Sequence, residues 1–133
     1  MAEKLHFSLV APERELINEE VDQVDVPGAA GEFGVLPRHA PVMAVIKPGA
    51  LRVYNDGQIR RIFVNGGFAD VTPAGLTVLA EEAVDLTDVD AAAIERQMQS
   101  AREELAGAPD ETRRFVAHAK IARLEAMTAA LAR

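Results

Sequence analysis

Apolar and polar positions along the chain follow two different periods, and the change falls near residue 86. In the first part, Val24-Asp25-Val26 alternates before Pro27-Gly28, and Leu51-Arg52-Val53-Tyr54 alternates before Asn55-Asp56-Gly57. Gln58-Ile59-Arg60-Arg61-Ile62-Phe63-Val64 follows that Asp-Gly pair, so the two runs read as a β-hairpin with a two-residue turn. Lys47-Pro48-Gly49, Gly66-Gly67 and Thr72-Pro73-Ala74-Gly75 mark further strand ends, and Leu76-Thr77-Val78-Leu79-Ala80 reads as the last strand. Eight of the nine glycines and six of the seven prolines precede residue 87. Short strands between frequent turns predict an antiparallel β-sandwich or flattened barrel over residues 1–86.

From Thr87 the period becomes helical. Thr87 followed by Asp90 resembles a capping box, with an acidic first turn that suits the helix dipole. Ile94, Met98, Ala101 and Leu105 fall along one stripe, with Arg96, Gln99, Arg102 and Glu103 largely outside it. Gly107-Ala108-Pro109 ends this helix and Asp110 caps the next. In the second helix Phe115, Ala119, Ala122, Ala126 and Ala129 form one apolar row, and Ile121, Leu124, Thr128 and Leu131 form another beside it. Alanine rows allow close helix approach, so residues 87–133 read as an antiparallel hairpin of two helices, each about 20 residues. Such a hairpin encloses no core of its own. It either docks stably or remains free to meet another protein, and the pattern leaves both open.

Composition narrows the function classes. The 133 residues are 49% hydrophobic and 26% charged, which fits a folded domain, and the 5% aromatic content leaves the core to aliphatic side chains. No run approaches the length of a membrane span, and Met1-Ala2-Glu3-Lys4 begins no apolar leader. With no cysteine there is no disulfide, thiol nucleophile or thiolate site. A net charge of −7 argues against nucleic acid as a partner. Residues 110–133, with five basic and three acidic side chains, are the one basic stretch, either a solvated helix face or a handle for an acidic partner.

Reaction chemistry is sparse. His6, His39 and His118 are far apart in sequence and lack metal-ligand spacing, so no metal or other cofactor is expected. Gly28-Ala29-Ala30-Gly31-Glu32-Phe33-Gly34 lacks the Gly-Lys-Ser/Thr ending of a phosphate loop and reads as two tight turns around a short strand. Glu19-Glu20 and Glu81-Glu82 read as solvated carboxylates on strand edges. Catalysis is therefore not expected, and binding is the more natural task.

One segment goes beyond turn chemistry: Gly31-Glu32-Phe33-Gly34-Val35-Leu36-Pro37-Arg38-His39-Ala40-Pro41. With Val26-Pro27-Gly28, Lys47-Pro48-Gly49, Val64-Asn65-Gly66-Gly67-Phe68 and Leu76–Ala80, it resembles the signature of bacterial F-type ATP synthase ε subunits. Physically, Gly31 and Gly34 allow positive φ or close backbone approach, while Pro37 and Pro41 stiffen the loop between them. The resemblance implies a non-catalytic rotor subunit of the central stalk, peripheral on the cytoplasmic face of the bacterial membrane. In that picture residues 1–86 join the γ subunit to the c-ring, with Glu32 facing the ring and His39 near both partners or serving only the loop's own hydrogen bonding. Arg38 stands where relatives often carry Gly.

The resemblance also implies a regulatory role for residues 87–133. Arg113, Arg114, Lys120 and Arg123 would meet the catalytic α and β subunits and restrain ATP hydrolysis. Some relatives bind ATP through an Ile-Asp-x-x-Arg-Ala pattern. Here the stretch is Val89-Asp90-Ala91-Ala92-Ala93, which keeps Asp90 as ligand or helix cap but lacks the arginine. Arg123 matches one second-helix position and Ala119 departs from the other, so weak or absent nucleotide binding is expected. A free-standing ATP sensor and a sandwich adaptor with a helical tail are the alternative readings.

Overall fold

The computed structural model describes residues 3–132, so Met1 and Ala2, where the leaderless reading begins, and Arg133 lie outside the described residues. Eight strands come first: β1 (Leu5–Ala11), β2 (Arg14–Val21), β3 (Gln23–Gly28), β4 (Gly31–Val35), β5 (Val42–Val45), β6 (Gly49–Asn55), β7 (Gln58–Thr72) and β8 (Gly75–Asp85). Two helices follow, α1 (Ala91–Ala106) and α2 (Glu111–Leu131). The strands run in the order β2-β1-β8-β7-β6-β3-β4, with β5 also on β7. All pairings are antiparallel except β1 with β8.

The expected sandwich with its helical hairpin is present, and one bend explains its shape. The first half of β7 pairs with β6 (Gly49↔Val64), and the second half pairs with β5 (Val45↔Phe68). Ile62 and Val64 point into the core before the bend; Ala69 and Val71 do so after it. The inward parity therefore flips at Gly66-Gly67, which is a corner inside β7 and not the strand end that the sequence suggests. Gly67 has φ +101°, and a Cβ there would lie 1.8 Å from the Leu79 carbonyl oxygen, so only glycine fits. β1, β2, β5 and the far half of β7 form one layer, and β3, β4, β6 and the near half of β7 form the other. β8 bends with β7 and serves both. Leu9, Val24, Leu51, Val64, Val71 and Val78 fill the space between them with at most 2% exposure.

Other boundaries differ in ways that register explains. Asp56 (φ 52°) and Gly57 (φ 79°) form the expected hairpin turn. Pro27-Gly28, by contrast, stays within β3, and the turn is Ala29-Ala30, so residues 28–34 form one hairpin in place of two turns. β8 runs on to Asp85, past the expected end at Ala80. Thr87 does not cap α1. It sits in a 3-10 turn where Asp85 accepts from its N–H at 2.9 Å, and Asp90 is the N-cap, accepting from Ala92 N–H at 3.0 Å.

α1 has 16 residues, shorter than expected, and buries Ile94, Met98 and Ala101 as its stripe predicts. α2 corrects the sequence reading more sharply. Its buried side chains are Ala117, Leu124, Met127 and Ala130, whereas Phe115, Ala119, Ala122 and Ala129 of the expected row face solvent. The hairpin is folded down on the outer face of the second layer. Ala50 and Phe63 from the sandwich join Ile94, Met98, Leu124, Met127 and Ala130 in a second apolar cluster.

Candidate functional site

Three surfaces carry the candidate residues. The first is the loop between β4 and β5, which crosses from one layer to the other. Glu32 is exposed on β4 opposite Pro27. Gly31 has φ +139°, and a Cβ on Gly34 would come within 3.0 Å of the Asp25 carboxylate, so each glycine answers one of the two expected needs. Pro37 and Pro41 flank a turn closed by His39 N–H donating to the Leu36 carbonyl at 3.1 Å. The His39 ring lies 2.7 Å from the Ala40 carbonyl through Nδ1, and its centroid is 6.4 Å from that of Phe33. The structure thus places His39 over β4 with hydrogen bonds inside its own loop. Arg38 has φ 68°, the left-handed region that favours glycine, and its guanidinium reaches Glu3 at 3.0 Å. Leu36 at the tip is 51% exposed.

The second surface is one that no motif announces. On the outer face of the first layer, register places Val10, Leu79, Phe68 and Val45 side by side across β1, β8, β7 and β5. Val45 is 66% exposed, and Phe68 and Leu79 are each more than a third exposed. Together with Pro12, Ile46 and the Gly66-Gly67 corner they line an open groove of about 800 Å³. Met43, two residues along β5 on the same side, is 65% exposed. Contiguous apolar surface of this kind marks a contact site more often than chance exposure. The turn Thr72–Gly75 sets only Phe68 opposite Leu79; Val10 and Val45 join the row through pairings that no local turn announces.

The third surface is the seam between sandwich and hairpin. Here Arg123 donates to both carboxylate oxygens of Glu82, at 2.8 and 2.5 Å. Glu82 is therefore not the solvated edge residue expected of it. The paired guanidinium holds its carboxyl below the usual carboxylate range, and Glu82 in turn raises Arg123. Arg61 on β7 donates to the carbonyls of Ala130 (3.2 Å) and Leu131 (3.3 Å), a cation on the C-terminal end of α2. Asp90 and Arg123, the two residues considered for nucleotide, are thus each engaged elsewhere, one as a helix cap and the other by Glu82. Of the expected basic face, Arg113 and Arg114 are exposed and Lys120 pairs with Glu104 at 3.0 Å, while Arg123 turns toward the sandwich.

Among the described residues no group of three or more His, Asp or Glu is placed to hold a metal, and no helix is long and apolar enough to cross a membrane.

Comparison with known proteins bears on the whole chain. A family profile described as "ATP synthase, Delta/Epsilon chain, beta-sandwich domain" matches residues 4–86. The ATP synthase epsilon chain of Maricaulis maris is 54% identical over 132 residues, covering 99% of both chains. That of Hyphomonas neptunium is 50% identical with the same coverage, and that of Rhodospirillum rubrum 46% identical over 98% of both. A chain of the Euglena gracilis mitochondrial ATP synthase OSCP/F1/c-ring structure superposes with a TM-score of 0.83 at 27% identity, covering 96% of this chain and 81% of that one. A chain of the Tetrahymena thermophila mitochondrial ATP synthase central stalk/c-ring shares the fold, with a TM-score of 0.68 at 14% identity over 97% of both. The sandwich with its parity-switching β7, the loop around Glu32 and His39, and these likenesses along the full length agree: the chain belongs to the family of ATP synthase epsilon chains.

Proposed function

We propose that this chain is a non-catalytic rotor subunit of a bacterial ATP synthase, bound through its sandwich to the γ subunit and the c-ring, peripheral on the cytoplasmic side of the membrane. The observation that carries this reading is the exposed apolar row Val10–Leu79–Phe68–Val45 on a domain that the family profile matches. A row of aliphatic and aromatic side chains lining an open groove on a sheet face suits a large, slowly dissociating protein interface, which a torque-bearing part needs. The structural neighbours come from assemblies named for F1, the central stalk and the c-ring, which supports the same direction. In this proposal the apolar row meets γ, and the loop with Glu32 and His39 meets the polar loops of the ring.

The test is co-production with γ and the c-ring. Phe68→Asp is expected to abolish co-purification with γ, and Glu32→Lys to weaken retention on the ring while leaving γ binding intact. Normal assembly and normal proton-driven synthesis with both variants would defeat the assignment.

The hairpin's role is a restraint on ATP hydrolysis exercised when α2 meets the catalytic subunits through Arg113, Arg114 and Lys120. Removing residues 87–133 is expected to raise hydrolysis by the assembled enzyme; no change leaves the hairpin without that role. Nucleotide binding is expected to be weak, because Arg123 already has a carboxylate partner and Asp90 a helix to cap. A calorimetric titration yielding a micromolar Kd for ATP would contradict this.

A further inference from the structure

α2 is apolar over most of its circumference: twelve of its 21 residues are Ala, Ile, Leu, Met, Phe or Val, and Arg114, His118, Glu125 and Thr128 form a polar stripe along one side. One face, with Ala117, Leu124, Met127 and Ala130, is buried; the next, with Phe115, Ala119, Ala122 and Ala129, is exposed, Phe115 to 75%. At about 100° per residue the two faces are centred roughly 150° apart, so a rotation of about that size exchanges them. Burial of apolar surface is non-directional and favours docking more strongly than it favours a particular rotation. The polar contacts are directional. Arg123 meets Glu82 with two parallel hydrogen bonds, a geometry that tolerates little rotation. Glu82 is fixed in turn by its place in β8 opposite Asn65, whose side-chain amide lies 3.5 Å away. At the helix end, Arg61 meets two carbonyls whose positions depend on the same rotation.

We propose that the Glu82–Arg123 ion pair is a register key that selects which face of α2 docks on the sandwich, with Arg61 fixing the same setting from the C-terminal end. Partly buried ion pairs add little net stability, and specifying register is the best-attested use of such a pair. On the helix Arg123 projects between the buried Ala130 and Met127, so turning α2 far enough to exchange its faces would carry it off Glu82.

The chain has no cysteine, so single reporter thiols can be read without background. Ala122→Cys reports the exposed face and Met127→Cys the buried one, each in the full-length chain. With the pair intact, position 122 is expected to label at least ~100-fold faster than position 127. In the doubly neutral background Glu82→Gln with Arg123→Gln, the ratio is expected to collapse toward one, with 122 slowing as 127 accelerates. The reversed pair, Glu82→Arg with Arg123→Glu, is expected to restore the original ratio. An unchanged ratio in the neutral background would overturn the proposal. So would both sites labelling at the rate of an unprotected thiol, since that outcome makes the pair a simple fastener. Far-UV circular dichroism of each variant excludes loss of the fold as the cause.

Discussion

The sandwich and the hairpin use the same aliphatic side chains and specify their arrangement by different means. In the sandwich, alternation with a period of two decides everything: a slip of one residue turns every core side chain outward, so Phe7, Leu9, Val24 and Val78 have no second choice. In α2 two apolar faces lie beside one polar stripe, and hydrophobicity alone does not say which of them faces in. The hairpin therefore relies on polar contacts at its seam, Glu82 with Arg123 and Arg61 with the last carbonyls, that the sandwich does not need for its own packing. Strand pattern sets register through burial; a broadly apolar helix needs directional bonds to do so.

Breaking the sandwich should have the largest effect. Gly67→Ala forces a Cβ against the Leu79 carbonyl at a positive φ, and the corner has no other solution. The expected cost exceeds about 4 kcal/mol, read as failure to fold or a large loss in the urea midpoint. Phe63→Ala comes next, at about 3–5 kcal/mol, since its fully buried ring joins the two parts. The contrast sharpens against Leu9→Ala, about 2–5 kcal/mol, which lies in the main core. Amide exchange should show α2 losing protection selectively with Phe63→Ala but together with the strands in Leu9→Ala.

Smaller changes separate the seam from the helix itself. Asp110→Ala removes the cap that accepts from Arg113 N–H at 2.8 Å and should cost about 1 kcal/mol, seen as fraying of the first turn of α2. Acid should loosen the seam in one direction only. Glu82 has a carboxyl pKa below its ordinary value, chiefly through the hydrogen bond from Arg123, so the pair's contribution is complete above the ordinary carboxylate range. It is lost as pH falls through the lowered value. Protection of α2 at the seam should therefore be flat from pH 7 to about 5 and decline below about 4. The smallest effect belongs to the loop. Arg38→Gly relieves a left-handed φ and gives up an exposed ion pair with Glu3, so a gain of no more than about 1 kcal/mol is expected in thermal unfolding.

How much the sequence revealed follows the same division. The Asp56-Gly57 turn, the Thr72–Gly75 turn and the alternating runs beside them place β6, the start of β7 and the start of β8, because turn chemistry and period two act locally. Gly66-Gly67 misleads because a double glycine reads as a break, when here it lets one strand change layers. The row Phe115–Ala129 misleads because the polar stripe Arg114–His118–Glu125–Thr128 leaves two apolar faces to choose between, and the choice is made by Glu82, 41 residues from Arg123 in the chain. The backbone demands on Gly31 and Gly34 were legible through the loop motif. The apolar row from Val10 to Val45 was not, since it assembles from four strands and leaves no continuous trace in any of them.

The corner in β7 has a mechanical consequence. The groove on one side of the molecule and the Phe63 face on the other are built on a single unbroken strand, five residues apart from Phe63 to Phe68. A pull applied to the groove side travels to the helical side along covalent backbone, where nothing can shear, instead of across a layer of packed side chains that slide under load. For a body gripped on one surface and loaded on another, that continuity makes the sandwich behave as one stiff link.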